Sequence, residues 1–156
     1  MGGGNSKSKI MILNLRATQE AHLVERPVGT RNELLLDKVL KGAGLSISSV
    51  YVTNLIKCAG PVTPVKAFAE NAKTCSNEHL TKEMEIINPM VIVAFGVSIP
   101  KSLFNDKKAT TSSEYKLPSG SRMFVTHSLE ELFRKGASFT QDAISTLQKA
   151  KQCLNQ

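Results

Sequence analysis

Asn14, Asn54 and His127 each stand just after a short apolar run, where a polar side chain at the edge of a sheet meets a ligand. An asparagine there offers a carbonyl and an amide together, the paired acceptor and donor that match the Watson–Crick edge of a pyrimidine. It also serves as an ordinary turn residue. His127, closing Phe124-Val125-Thr126-His127-Ser128, can donate to a developing anion, act as an acid, or cap the segment that follows. His22 and His79 lack metal-ligand spacing with a second histidine or a paired cysteine, and Cys58 and Cys75 are too far apart for a zinc knuckle. No metal site is expected.

The elements that must position these residues read as an alternation of strands and helices. Ile10-Met11-Ile12-Leu13, Val50 to Thr53 and Met90-Val91-Ile92-Val93-Ala94-Phe95 are continuous apolar runs of strand length, as strands buried on both faces require. Tyr115 to Leu117 and Arg122 to Val125 flank Pro118-Ser119-Gly120-Ser121, which predicts two strands joined by a turn. Thr30-Arg31-Asn32-Glu33 is a capping box ahead of Leu34, Leu35, Leu36, Val39 and Leu40. Thr63-Pro64 opens a second helix that places Cys75 and His79 on an apolar face and ends near Asn88-Pro89; a short one leads through Leu103 and Phe104, and a last one runs from about Ser138 to Cys153. The expected fold is α/β: three layers, α/β/α, around a central, mostly parallel sheet of four to five strands. Four loops then gather at the carboxyl ends of the strands: 14–29, 54–63, 96–99 and 127–135.

A length of 156 residues with 41% apolar and 21% charged residues suits one globular domain, expected over 10–156 behind a flexible tail at 1–9. The formal net charge of +7 favours an anionic partner, nucleic acid above all. Three cysteines, an odd number with no secretory signal in view, point to a reducing, intracellular compartment. No apolar run reaches bilayer length. Gly2 followed by Ser6 fits a loose myristoylation pattern, but Gly/Ser/Lys composition equally gives a plain tail, which is the favoured reading.

One stretch carries a family resemblance. Tyr51-Val52-Thr53-Asn54-Leu55-Ile56-Lys57-Cys58, then Pro61, Pro64 and Cys75, then Asn88-Pro89-Met90-Val91-Ile92-Val93-Ala94-Phe95-Gly96, and finally Thr126-His127-Ser128, resembles the thermophile-type, iron–sulfur branch of the uracil-DNA glycosylase superfamily. The resemblance implies that Asn54 reads a flipped uracil and that His127 stabilises the base anion as the glycosidic bond breaks, with Leu129 or Leu132 as the wedge filling the vacated stack. Asn14 would hold a water, and Lys57, Ser98, Ser128, Leu129 and Arg134 would meet DNA, in single- or double-stranded form.

The chain also departs from the family pattern. Leu13-Asn14-Leu15-Arg16-Ala17 stands where the family has Gly-Glu-Ala-Pro-Gly, without its carboxylate and glycines, and Pro27-Val28 replaces a Pro-Phe step that stacks on the base. Only Cys58 and Cys75 match the four cluster ligands, so no iron–sulfur cluster, and no other cofactor, is expected. The leading expectation is a divergent glycosylase removing uracil or a modified pyrimidine from DNA. The alternative is a catalytically inactive member of the same fold that binds DNA or a protein partner.

Overall fold

The computed structural model describes residues 3–4, 7–16, 30–46, 49–56, 81–103, 107–111, 113–117 and 120–153. Within them a sheet runs in the order β1-β3-β2-β4-β6-β5. The strands are β1 (Gly3–Gly4), β2 (Ile10–Arg16), β3 (Tyr51–Ile56), β4 (Val91–Phe95), β5 (Glu114–Lys116) and β6 (Arg122–Thr126). The four central strands are parallel, and β1 and β5 close the edges antiparallel. The helices are α1 (Thr30–Gly42), α2 (Thr81–Ile87), α3 (Ser98–Leu103), α4 (Leu129–Lys135) and α5 (Ala137–Cys153).

Strand alternation divides the core into two. Ile10, Ile12, Val52, Val91, Val93, Phe95 and Phe124 face α1, α4 and α5, which contribute Leu36, Val39, Leu40, Leu132, Ala143 and Leu147. Met11, Leu13, Ile92, Ala94, Met123 and Val125 face the other way, against Ile99 of α3 and Met84 and Ile87 of α2. The three expected layers are therefore present. Every residue of β4 is buried, because helices cover both of its faces.

The connection from β2 to β3 carries α1 on one face, whereas α2, ahead of β4, lies on the other, and β4 returns to the opposite side of β2. That reversal makes the carboxyl ends of β2 and β4 a topological switch point, where an open α/β sheet leaves a crevice for ligands.

Three local features differ from the sequence reading. Strands β2 and β3 run on to Arg16 and Ile56, because each extends the other's parallel ladder (Asn14 opposite Asn54, Arg16 opposite Ile56) beyond the end of the apolar run. Within the segment read as a tail, Gly3 and Gly4 pair with Val52 and Tyr51, and the buried Ser8 hydroxyl donates to the Ser49 carbonyl at 2.8 Å. The segment read as a loop at 127–135 contains α4, whose N-cap Ser128 accepts from the Glu131 amide. Of the helix expected from Thr63 to near Asn88, the described part is α2; Cys75 and His79 lie outside the described residues.

Candidate active site

One register line crosses the carboxyl ends of four parallel strands: Asn54 on β3, Asn14 on β2, Phe95 on β4 and Thr126 on β6. Asn14 and Thr126 continue the Ile10-Ile12 and Phe124 alternation, so their side chains lie on the α1/α4/α5 side of the sheet. Both are buried, at 7% and 0% exposure. Among the described residues, Asn14 Nδ2 and Thr126 Oγ1 have no hydrogen-bond partner. A buried polar atom without a partner carries a penalty of about 1–3 kcal/mol, which folds retain chiefly where a ligand or water completes the bond.

His127 follows Thr126 directly and turns toward α4 and α5. Its Nε2 lies 3.2 Å from Asp142 Oδ2, and its Nδ1 lies 3.6 Å from Glu131 Oε2. The ring stacks on Phe139, with centroids 3.8 Å apart and planes 7° from parallel. Ser128 caps α4, and its hydroxyl lies 3.2 Å from Glu131 Oε1. At Gly96, φ is 130° and the amide donates to the Thr126 carbonyl at 2.9 Å, so the turn leading into Ser98 and α3 folds back over the end of β6. A Cβ on Gly96 would stand 3.5 Å from Ser128 Cβ.

The fold therefore brings Asn14, Asn54, His127 and Ser128 to one sheet edge, with Ser98 half buried at the start of α3. Arg134 is exposed in the last turn of α4. Lys57 lies outside the described residues. Leu129 and Leu132 do not project as wedges; they are 5% and 1% exposed in the core, because the helical period that starts at Ser128 turns both toward the sheet. Phe133 is the exposed apolar side chain on α4, at 55%. The sequence reading missed Thr126, Glu131, Phe139 and Asp142. For Glu131 a signal existed: Ser128-Leu129-Glu130-Glu131 is itself a capping-box sequence.

The sequence pattern of the uracil DNA glycosylase superfamily matches residues 1–149. The chain belongs to this superfamily. It is 31% identical over 110 residues to the Type-4 uracil-DNA glycosylase of Thermotoga maritima, covering 70% of this chain and 56% of that protein. The Type-4 uracil-DNA glycosylase of Archaeoglobus fulgidus is 33% identical over 122 residues, 74% of this chain and 58% of that protein. The Saccharolobus solfataricus Type-4 enzyme is 31% identical over 104 residues, 66% and 47% of the two chains. The matched part thus spans about half the length of these superfamily members.

Kinship corrects one expectation. The reading that no cluster is present rested on finding only two of four thiolates, yet the matched superfamily members are Type-4 glycosylases, which are iron–sulfur enzymes. The expectation weighed the two missing thiolates above the two, Cys58 and Cys75, that match. Cys58 and Cys75 have the donor chemistry such a group takes and are the residues that would hold it; both lie outside the described residues. Among the described residues no group of three or more His, Cys, Asp or Glu side chains could hold a metal ion, and no helix is long and apolar enough to cross a membrane.

Proposed function

We propose that this protein removes uracil or a modified pyrimidine from DNA by hydrolysing the N-glycosidic bond. The observation that carries the reading is the register line Asn54, Asn14, Phe95, Thr126, with two buried unpartnered polar atoms on it and His127 at its end. In this reaction the bond between the sugar C1′ and the base nitrogen breaks and its electron pair leaves with the base. Negative charge then appears on the base oxygens and positive charge on the sugar. A donor fixed beside the base acts on charge present only in the transition state, the role assigned to His127. Asn54 reads the base edge.

Asn14 orients the water that adds to C1′ through its amide. An amide takes no proton, so the water's proton must pass elsewhere; among the described residues, Glu131 and Asp142 are the carboxylates beside His127. Ser98, Ser128, Arg134 and Lys57 are the proposed DNA contacts, two of them cationic, in keeping with the net charge of +7. Leu129 serves this surface indirectly, by seating α4 on the sheet.

A second reading is a module that binds DNA without cleaving it. What favours it is His127 itself, since both ring nitrogens face carboxylates rather than an open site. One experiment separates the two: the protein is incubated with single- and double-stranded oligonucleotides carrying uracil or 5-substituted uracils, and alkali-labile sites are counted. Excision lost in Asn54→Ala and His127→Ala supports the enzyme. Salt-dependent binding without excision supports the module, and failure to bind DNA at low salt excludes both.

A further inference from the structure

On the helical layer lies a groove of about 480 Å³ that shares no lining residue with the strand-edge site. Its walls come from α1 (Leu35, Lys38), α4 (Leu132, Phe133) and α5 (Ile144). The absent side chain of Gly42 lets α1 and α5 meet closely, since a Cβ there would stand 2.7 Å from Ile144 Cδ1. Phe133 is 55% exposed, and Leu34, next to Leu35 on α1, is 68% exposed. Two large apolar side chains held out beside an apolar groove are the mark of a contact surface.

Among the described residues, Lys38 is the charged one that lines the groove. Lys38, Lys41, Arg134 and Lys135 are all exposed on α1 and α4. The carboxylates with printed contacts on the three helices are engaged elsewhere: Asp37 with Lys41 at 2.9 Å, and Glu131 and Asp142 with His127. A second copy of this chain would set these cations against their equivalents. A bilayer surface is flat where this surface is concave, and phosphates would leave the apolar walls unfilled.

We propose that this groove docks an acidic amphipathic helix of a partner protein, with its apolar stripe between Leu35, Phe133 and Ile144 and its carboxylates beside Lys38 and Lys135. Seating an apolar helix face in such a groove requires anchors at i, i+3 or i+4 and i+7, and the cationic rim sets the sign of the flanking residues.

The test is fluorescence anisotropy of a fluorescein-labelled helical peptide with leucines at i, i+4, i+7 and i+11 and glutamates on the flanking positions, titrated with the full chain. Saturable binding is expected, weakening as salt rises. Phe133→Ser and Lys38→Glu, both at exposed positions, should each weaken it by about tenfold with an unchanged circular dichroism spectrum. No saturable binding overturns the proposal, as does equal affinity for the same peptide carrying lysines in place of glutamates. Affinities of both variants within about twofold of the parent also overturn it. A concentration-dependent dimer in sedimentation that Phe133→Ser abolishes would assign the groove to a second copy, and binding to anionic vesicles but not to the peptide would assign it to a membrane.

Discussion

Asp142 Oδ2 lies 3.2 Å from His127 Nε2 across the junction of β6 and α5, while Glu131 of α4 approaches the ring's other nitrogen at 3.6 Å. Two helices thus converge on the residue that follows β6. The Asp142 side chain is 64% exposed, so solvent weakens this pair to about 0–1 kcal/mol. Asp142→Asn should therefore change the unfolding free energy in urea by less than about 1 kcal/mol. A loss above about 2 kcal/mol would mean that the pair is far less hydrated than this exposure implies.

Asn14 and Thr126 predict the opposite relation between stability and activity. Their buried atoms lack partners among the described residues, and each such atom costs about 1–3 kcal/mol. Asn14→Leu and Thr126→Val should leave stability unchanged or raise it by about 1 kcal/mol, while Asn14→Leu lowers excision at least tenfold. Urea midpoints measured beside excision rates decide this. Marked destabilisation by either variant would reveal a structural partner.

Ser128 has a local duty. It caps α4 by accepting from the Glu131 amide, and Ser128→Ala should cost about 0.5–2 kcal/mol, whereas Ser128→Asp keeps the cap. Hydrogen exchange at the Glu131 amide reads the effect directly: faster in the alanine variant, near parental in the aspartate variant.

Gly96 holds φ at 130°, which L side chains rarely adopt, although space for a Cβ exists 3.5 Å from Ser128 Cβ. Gly96→Ala should destabilise by about 1–3 kcal/mol through backbone strain rather than a clash. Thermal unfolding compared with Gly120→Ala, also at positive φ but with nothing within 4 Å of its Cβ, checks that origin: the two losses should be similar.

Much of this architecture is legible in the sequence because burial on both faces leaves apolar runs that nothing else explains, as at Val91 to Phe95. The capping box at Thr30 marks α1 in the same way. What escaped has identifiable causes. Gly3 and Gly4 join the sheet through backbone alone, and no side-chain pattern announces that. The ladder past Leu13 is sustained by pairing with β3 rather than by hydrophobicity. Helix α4 is about two turns long, too short for its period to stand out, and its cap is the one local sign of it. The ring of His127 meets Phe139 and Asp142 only through the packing of α5 against the end of β6, a tertiary contact that spacing cannot disclose.

The strand-edge line from Asn54 to Thr126, followed by His127, is proposed as a base-excision site. Its most direct measurement is chromatographic detection of free uracil released from a uracil-containing oligonucleotide by the full chain, alongside His127→Ala and Asn54→Ala. Release by the parent is expected, with a fall of at least about a hundredfold in each variant, the scale of losing a transition-state donor or the base-reading group. Release undiminished in both variants, or no free base under conditions where the parent binds the same oligonucleotide, would contradict it.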